Sequence, residues 1–183
     1  MRSEQTGEQQ SAVRLVLDTN VVASGLMWEG ATARLIALIR HGSLHVQIVC
    51  SAALLAELRD IVGRRKFSKR LLLKSTSADD FVADYARRVT LVAPANIPPT
   101  VHEDPDDDVV LATAFAGQAH LIVTGDAHLL KLGRFRFTPI VRPVSAIAML
   151  GGSPLRRRRR VLLPKGEAHP VACDGINTAP SLP

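Results

Sequence analysis

Five acids fall within six residues at Glu103–Asp108 (EDPDDD), directly ahead of the apolar run VVLATAFAGQA. Part of this pattern is ordinary helix chemistry. Asp104 suits an N-cap, Pro105 the first helical position, and acids in the first turn suit the helix dipole. Capping does not say where the acids point. At about 100° per residue, Asp107 shares a stripe with Val110, Leu111, Ala114 and Gln118, so it aims at the buried face, and Asp104 lies close to the same side. Two like charges ~4 Å apart repel by about 4 kcal/mol at an effective dielectric near 20. Carboxylates facing a core therefore need protons, cationic partners or a metal ion.

Three further acids stand where they could join them. Asp18 follows the apolar run Val13–Leu17, Asp126 follows Leu121–Thr124 and Gly125, and Glu57 lies on a helix that opens at Ser51. Each has an ordinary alternative: Asp18 and Asp126 could cap turns, and Glu57, at the border of its apolar stripe, could be a solvated helix residue. Taken together they suit a hard divalent ion such as Mg²⁺ or Mn²⁺, which takes oxygen ligands and keeps several waters. Such ions activate water and neutralise charge at an attacked phosphate.

The elements that must position these acids follow the hydrophobic pattern. Short apolar runs at Val13–Leu17, Leu44–Cys50 and Leu121–Thr124 read as buried strands, with a short strand at Thr90–Val92 and an edge strand at Ile140–Arg142. Helical periodicity marks Ala31–His41, Ala52–Arg65, Arg64–Lys74, Ser77–Val89 and a closing helix, Val144–Leu150. Strands alternating with helices predict a three-layer α/β/α fold around a central, mainly parallel sheet, with ligands at the carboxyl ends of the strands. Asp18 and Asp126 would share that rim.

The chain has 183 residues and a net charge of +6, unevenly placed. Between Arg14 and Leu150, 16 basic residues face 13 acidic ones; from Gly151 on, 6 face 2. A basic chain with a concentrated acidic cluster fits a polyanionic partner. Arg64, Arg65, Lys66, Lys69 and Arg70 are candidate contacts to the phosphates of such a partner, with a solvated helix face as the alternative; Arg156–Arg160 could act likewise through counterion release. One Trp, one Tyr and five Phe argue against an aromatic base-stacking platform, and Trp28 with Met27 is read as surface packing. Residues 13–150 are expected to form the domain, 1–12 a polar extension and 151–183 a Gly- and Pro-rich basic tail. No apolar run approaches the ~20 residues of a membrane span. Met1–Gln10 is polar, so no secretory signal is expected. Cys50 and Cys173 form neither a disulfide framework nor a zinc motif. A cytoplasmic location is the resulting expectation.

Four segments in order, LVLDTNVVASGL (15–26), CSAALLAELRDIVGRRKF (50–67), DPDDDVVLATAFAGQAHLIVTGDAHLL (104–130) and TPIVRPVSAIAML (138–150), resemble the PIN-domain nucleases, in particular the prokaryotic branch of toxins from toxin–antitoxin pairs (VapC-like). The resemblance implies an acidic Mg²⁺ or Mn²⁺ site that cleaves RNA to 5′-phosphate and 3′-hydroxyl ends. It places the four family acids on Asp18, Glu57, Asp107 and Asp126, with Asp108 as the competing register for the third and Asp104 close by. Asn20 and Thr124 match polar positions that orient the acids, and neither His102 nor His128 is required. It also implies a protein antitoxin and a homodimer. The alternative, drawn from a different class, is a regulatory protein that binds RNA or a partner with little or no cleavage. A phosphatase using Asp18 as nucleophile fits less well, since Asn20 stands where an acid would be needed.

Overall fold

The computed structural model describes residues 12–27 and 29–151, Met27 by its backbone alone. The expectations for the polar N-terminal extension, for the Met27 side chain and Trp28, and for Arg156–Arg160 with the rest of the tail lie outside the described residues. The elements run β1 (Val13–Leu17), α1 (Thr19–Met27), α2 (Ala31–Arg40), β2 (Val46–Cys50), α3 (Ala52–Gly63), α4 (Arg65–Leu73), α5 (Ala78–Ala86), β3 (Val89–Leu91), α6 (Asp107–Ala116), β4 (Leu121–Val123), α7 (Ala127–Leu132), β5 (Arg134–Phe135), β6 (Thr138–Val141) and α8 (Pro143–Gly151).

The strands order as β3-β2-β1-β4-β6-β5. All pairs are parallel except β5 with β6. The three-layer α/β/α fold expected from the sequence is therefore present. Alternation along β1 sends Leu15 and Leu17 to one face and Val16 to the other. The first face buries α1 through Val21, Val22, Ala23 and Leu26, together with Leu35, Leu58, Ile61, Phe67, Leu71 and Ala146. The second buries α6 through Val110, Leu111 and Ala114, with Val101 and Leu129. Both faces being covered is why the strands read as unbroken apolar runs.

Chain direction sets the position of the site. From β1 the chain steps outward to β2 and β3, then returns to place β4 on the opposite side of β1. The crevice of such a sheet opens at the carboxyl ends of the two strands flanking that reversal. Here these are β1, followed directly by Asp18, and β4, followed directly by Thr124. A buried hydrogen bond fastens α6 over this region: the Thr113 hydroxyl donates to Ser51 Oγ at 3.0 Å. Ser51 Oγ also accepts from Leu54 N, capping α3.

Several boundaries differ from the sequence expectation. The segment after β1 is a helix, α1, rather than a polar strand exit; its apolar residues dock on the sheet. A further short helix, α7, follows Asp126. The acidic helix starts at Asp107, not at Asp104 or Pro105. Asp104 instead forms a turn, its Oδ1 accepting from Asp106 N at 3.2 Å and its carbonyl from Asp107 N at 3.1 Å. The last long strand is Thr138–Val141, and it lies between β4 and the two-residue β5, so the expected edge strand is one place in from the edge. Among the described residues no single helix is long and apolar enough to cross a membrane.

At the end of α6 the helix meets β2 with no room to spare. A Cβ on Gly117 would stand 2.3 Å from Val49 Cγ1 and 3.1 Å from its Cβ. Val49 is buried and stiff at χ1, so it cannot swing aside. Gly117→Ala is expected to destabilise the fold by about 1–3 kcal/mol, read from the urea midpoint; an unchanged midpoint would mean that α6 and β2 can separate freely.

Candidate metal centre

Asp18 directly follows β1 and opens α1. Its carbonyl accepts from Val21 N and Val22 N, which starts the helix. Its carboxylate is buried and fully engaged: Oδ1 accepts from Asn20 N at 3.0 Å and from the Thr19 hydroxyl at 3.3 Å, and Oδ2 from the Thr124 hydroxyl at 2.5 Å. Burial raises the Asp18 carboxyl above its ordinary value. The bonds from Thr124, Asn20 and Thr19 oppose this, and the Asp126 charge adds to it. Each carboxylate oxygen keeps lone-pair capacity beyond these bonds.

Thr124 ties the two strand ends together. While its hydroxyl donates to Asp18, it accepts from Asp126 N at 2.8 Å. Asp126 in turn caps α7, its Oδ1 accepting from His128 N at 2.6 Å and Leu129 N at 3.3 Å. Asn20 meets Asp18 through its backbone; its exposed side chain, with Ser24 and Thr32, lines a cleft that opens beside Asp126.

Asp107, the first residue of α6, sits among these groups, its backbone N–H donating to the Asp104 carbonyl. Its Oδ2 is buried and has no hydrogen-bond partner. Burial pushes its carboxyl up to about 7, followed by the charges of Asp126, Asp104 and Asp18, with His128 acting in the opposite direction. Glu57 reaches the same area from α3. It keeps an exposed flank, yet it is raised by partial burial and by Asp18, Asp106 and Asp104, while the Thr19 hydroxyl lowers it. Among the described residues no lysine or arginine is paired with Asp18, Glu57, Asp107 or Asp126.

The competing register is occupied differently. Asp108 accepts from Thr100 N at 3.0 Å and Val101 N at 3.0 Å, so its carboxylate holds the loop ahead of α6 rather than joining the cluster. Asp104 does join it. One ligand atom from each of Asp104, Asp107 and His128 lies within 4.8 Å of the others, a group that could hold a metal ion. His128, set aside in the sequence reading, therefore stands inside the acidic cluster, whereas His102 is exposed. The available signal was its place two residues after Asp126, in the first turn of a helix aimed at the site.

The basic run does not enter this cluster. Arg64 follows Glu57 by nearly two turns, roughly 10 Å along the helix axis, at the end of α3 remote from the strand ends. Arg64, Arg65, Lys66 and Lys69 are exposed. Arg70 is committed elsewhere, its Nε donating to the Leu26 carbonyl at 3.2 Å, near the end of α1.

Two consequences can be measured. The folded pKa of Asp107, about 7, lies above its ordinary 3.8, so the protonated form favours the fold. Its contribution is complete below about pH 4 and is lost as pH rises through 7. In metal-free buffer containing a chelator, Asp107→Asn is expected to gain melting temperature relative to the parent steadily from pH 4 to pH 8; a constant difference would place Asp107 in water. Asp108→Ala should cost about 2 kcal/mol, the scale of hydrogen bonds to a charged group, and should speed amide exchange at Thr100 and Val101. Slow exchange at both amides in the variant would remove the anchoring role.

Residues 14–128 match the family model of the PIN domain. No curated protein matches the chain. Among solved structures it is similar to a chain in the crystal structure of VapBC2 from Rickettsia felis bound to a DNA fragment from its promoter. That likeness has 15% identity, covers 70% of this chain and 97% of the other, and has a TM-score of 0.46. The family match spans well over half of the chain, from β1 into the first turn of α7, and takes in Asp18, Glu57, Asp104, Asp107, Asp126 and His128. The chain belongs to the PIN-domain family.

Proposed function

We propose that this PIN-domain chain is a metal-dependent endoribonuclease, the toxin of a cytoplasmic toxin–antitoxin pair. The observation that carries the reading is the buried, unpartnered Oδ2 of Asp107, near Asp18, Asp104 and Asp126, with no lysine or arginine among the described residues paired with Asp18, Asp107 or Asp126. A divalent cation fits these residues better than any group the described chain supplies. Asp18, Asp107 and Asp126, with Glu57 directly or through water, would hold Mg²⁺ or Mn²⁺; Asp104 stands beside them and Asp108 does not take part.

When bound, such an ion neutralises charge on a phosphodiester and makes water a usable nucleophile near neutral pH, worth several kcal/mol to the transition state. The chain's own residues do the positioning. Thr124 fixes the spacing of Asp18 and Asp126. Without a cation, Asp107 retains a proton near neutrality; cation binding releases it. Asn20, Ser24 and Thr32 line the adjoining cleft with amide and hydroxyl groups suited to a ribose or base. The exposed Arg64, Arg65, Lys66 and Lys69 contact phosphates away from the scissile bond, consistent with the chain's net positive charge. Products carry 5′-phosphate and 3′-hydroxyl ends. An antitoxin would block the acidic cleft, and the toxin would act as a homodimer.

The test is cleavage of labelled RNA by purified parent in Mn²⁺, with and without chelator. Asp18→Asn and Asp107→Asn should each lower the rate about a hundredfold to a thousandfold, the equivalent of several kcal/mol, while circular dichroism shows the fold intact. Equal cleavage by parent and variants would point to a contaminating nuclease. Salt-sensitive RNA binding with no metal-dependent cleavage would favour the regulatory binder instead.

A further inference from the structure

The donor set around Asp107 is not made of oxygen alone. His128 Nδ1 is buried with no hydrogen-bond partner, as is Asp107 Oδ2. The nearest acid oxygen to it, Asp126 Oδ1, is 3.9 Å away, too far for a hydrogen bond. That oxygen is already spent on the backbone N–H groups of His128 and Leu129. The imidazole is thus anchored through its backbone at the head of α7 while its Nδ1 is left unmet, and one of its ring nitrogens lies beside Asp104 and Asp107. The ligand atoms of these three residues lie within 4.8 Å of one another. Ligands at about 2.1 Å from a common ion can be no more than ~4.2 Å apart, so adjustments of about half an ångström would close the group.

Resting on the metal-site reading above, we propose that His128 is a metal ligand together with Asp104 and Asp107, and that this nitrogen makes the centre prefer a first-row transition-metal dication to Mg²⁺. Mg²⁺ takes oxygen ligands and dehydrates reluctantly. Imidazole suits the borderline ions, whose affinity for a mixed nitrogen and oxygen site rises from Mn²⁺ through Co²⁺ to Ni²⁺. The four acids alone would give a weaker bias, since carboxylates also suit Mg²⁺ and Mn²⁺. Asp107 is common to both groups, so occupancy beside His128 also draws on the acid that the nuclease reading needs.

The experiment uses the full chain with Mn²⁺ and pulsed electron paramagnetic resonance, which detects a directly bound nitrogen as ¹⁴N modulation. The parent should show ¹⁴N modulation that disappears in His128→Ala and survives in Asp18→Asn. Calorimetric titration should show Mn²⁺ binding weakened about tenfold or more by His128→Ala, the scale at which even residues supporting a ligand act, with Mg²⁺ binding little changed. His128→Gln, which keeps a polar side chain, guards against a folding effect. Bound Mn²⁺ without ¹⁴N modulation in the parent overturns the inference and leaves the carboxylate centre standing. Absence of any Mn²⁺ binding overturns both. Modulation in a chain that does not cut RNA supports the inference and removes the nuclease reading.

Discussion

Mutual repulsion of carboxylates held out of water is the constraint around which this molecule is arranged. Burial and the charge of Asp126 raise Asp18 and Asp107, Asp18 adds to the effect on Asp107, and no lysine or arginine among the described residues is paired with them. Left alone, such groups would swing into solvent. They stay because each is fastened by something other than charge: Asp18 by two hydroxyls and a backbone N–H, Asp126 by its duty at the head of α7, and Asp107 by the start of a helix buried along Val110, Leu111 and Ala114. The fold spends stability to hold unfavourable neighbours together, an expense commonly found at functional sites.

The parallel sheet makes this arrangement possible at small cost in chain. Because β4 returns to the far side of β1, two strand ends separated by more than a hundred residues in sequence come within one hydroxyl of each other, and Thr124 bridges them. α6 then descends from the same rim on the opposite layer from α1, bringing Asp107 in from above. Glu57 arrives on α3, which starts at the end of β2. Apart from Glu57, which stands in the middle of α3, each contributor enters from the carboxyl end of a strand or the amino end of a helix, so backbone dipoles and side-chain charges converge on one place.

How far the sequence disclosed this depended on the length of each signal. Buried strands of four or five apolar residues and helices of ten or more were legible because periodicity needs repeats to be seen. α1 was missed because TNVVASGLM has no polar face to alternate with, and α7 because six residues hold fewer than two turns. The start of α6 was misplaced because Asp104 satisfied the N–H of Asp106 in a turn, a conformation that competes with capping a helix and uses the same residue types. The separation of Asp107 from Asp108 could not be read from spacing, since adjacent positions differ only in what the preceding loop offers, here the N–H groups of Thr100 and Val101. His128 was passed over because the family that the chain resembles requires no histidine, although the turn of α7 brings it inward.

The double occupation of Asp126 has a mechanical meaning. An oxygen pinned by two amide hydrogens at the head of a helix cannot rotate to follow an ion of different radius, and Asp18, held at both oxygens, cannot either. Asp104, on a turn, and Asp107, with an unfastened oxygen, retain torsional play. The cleft therefore has a stiff wall and a compliant wall, and fitting to whatever enters falls to the compliant one.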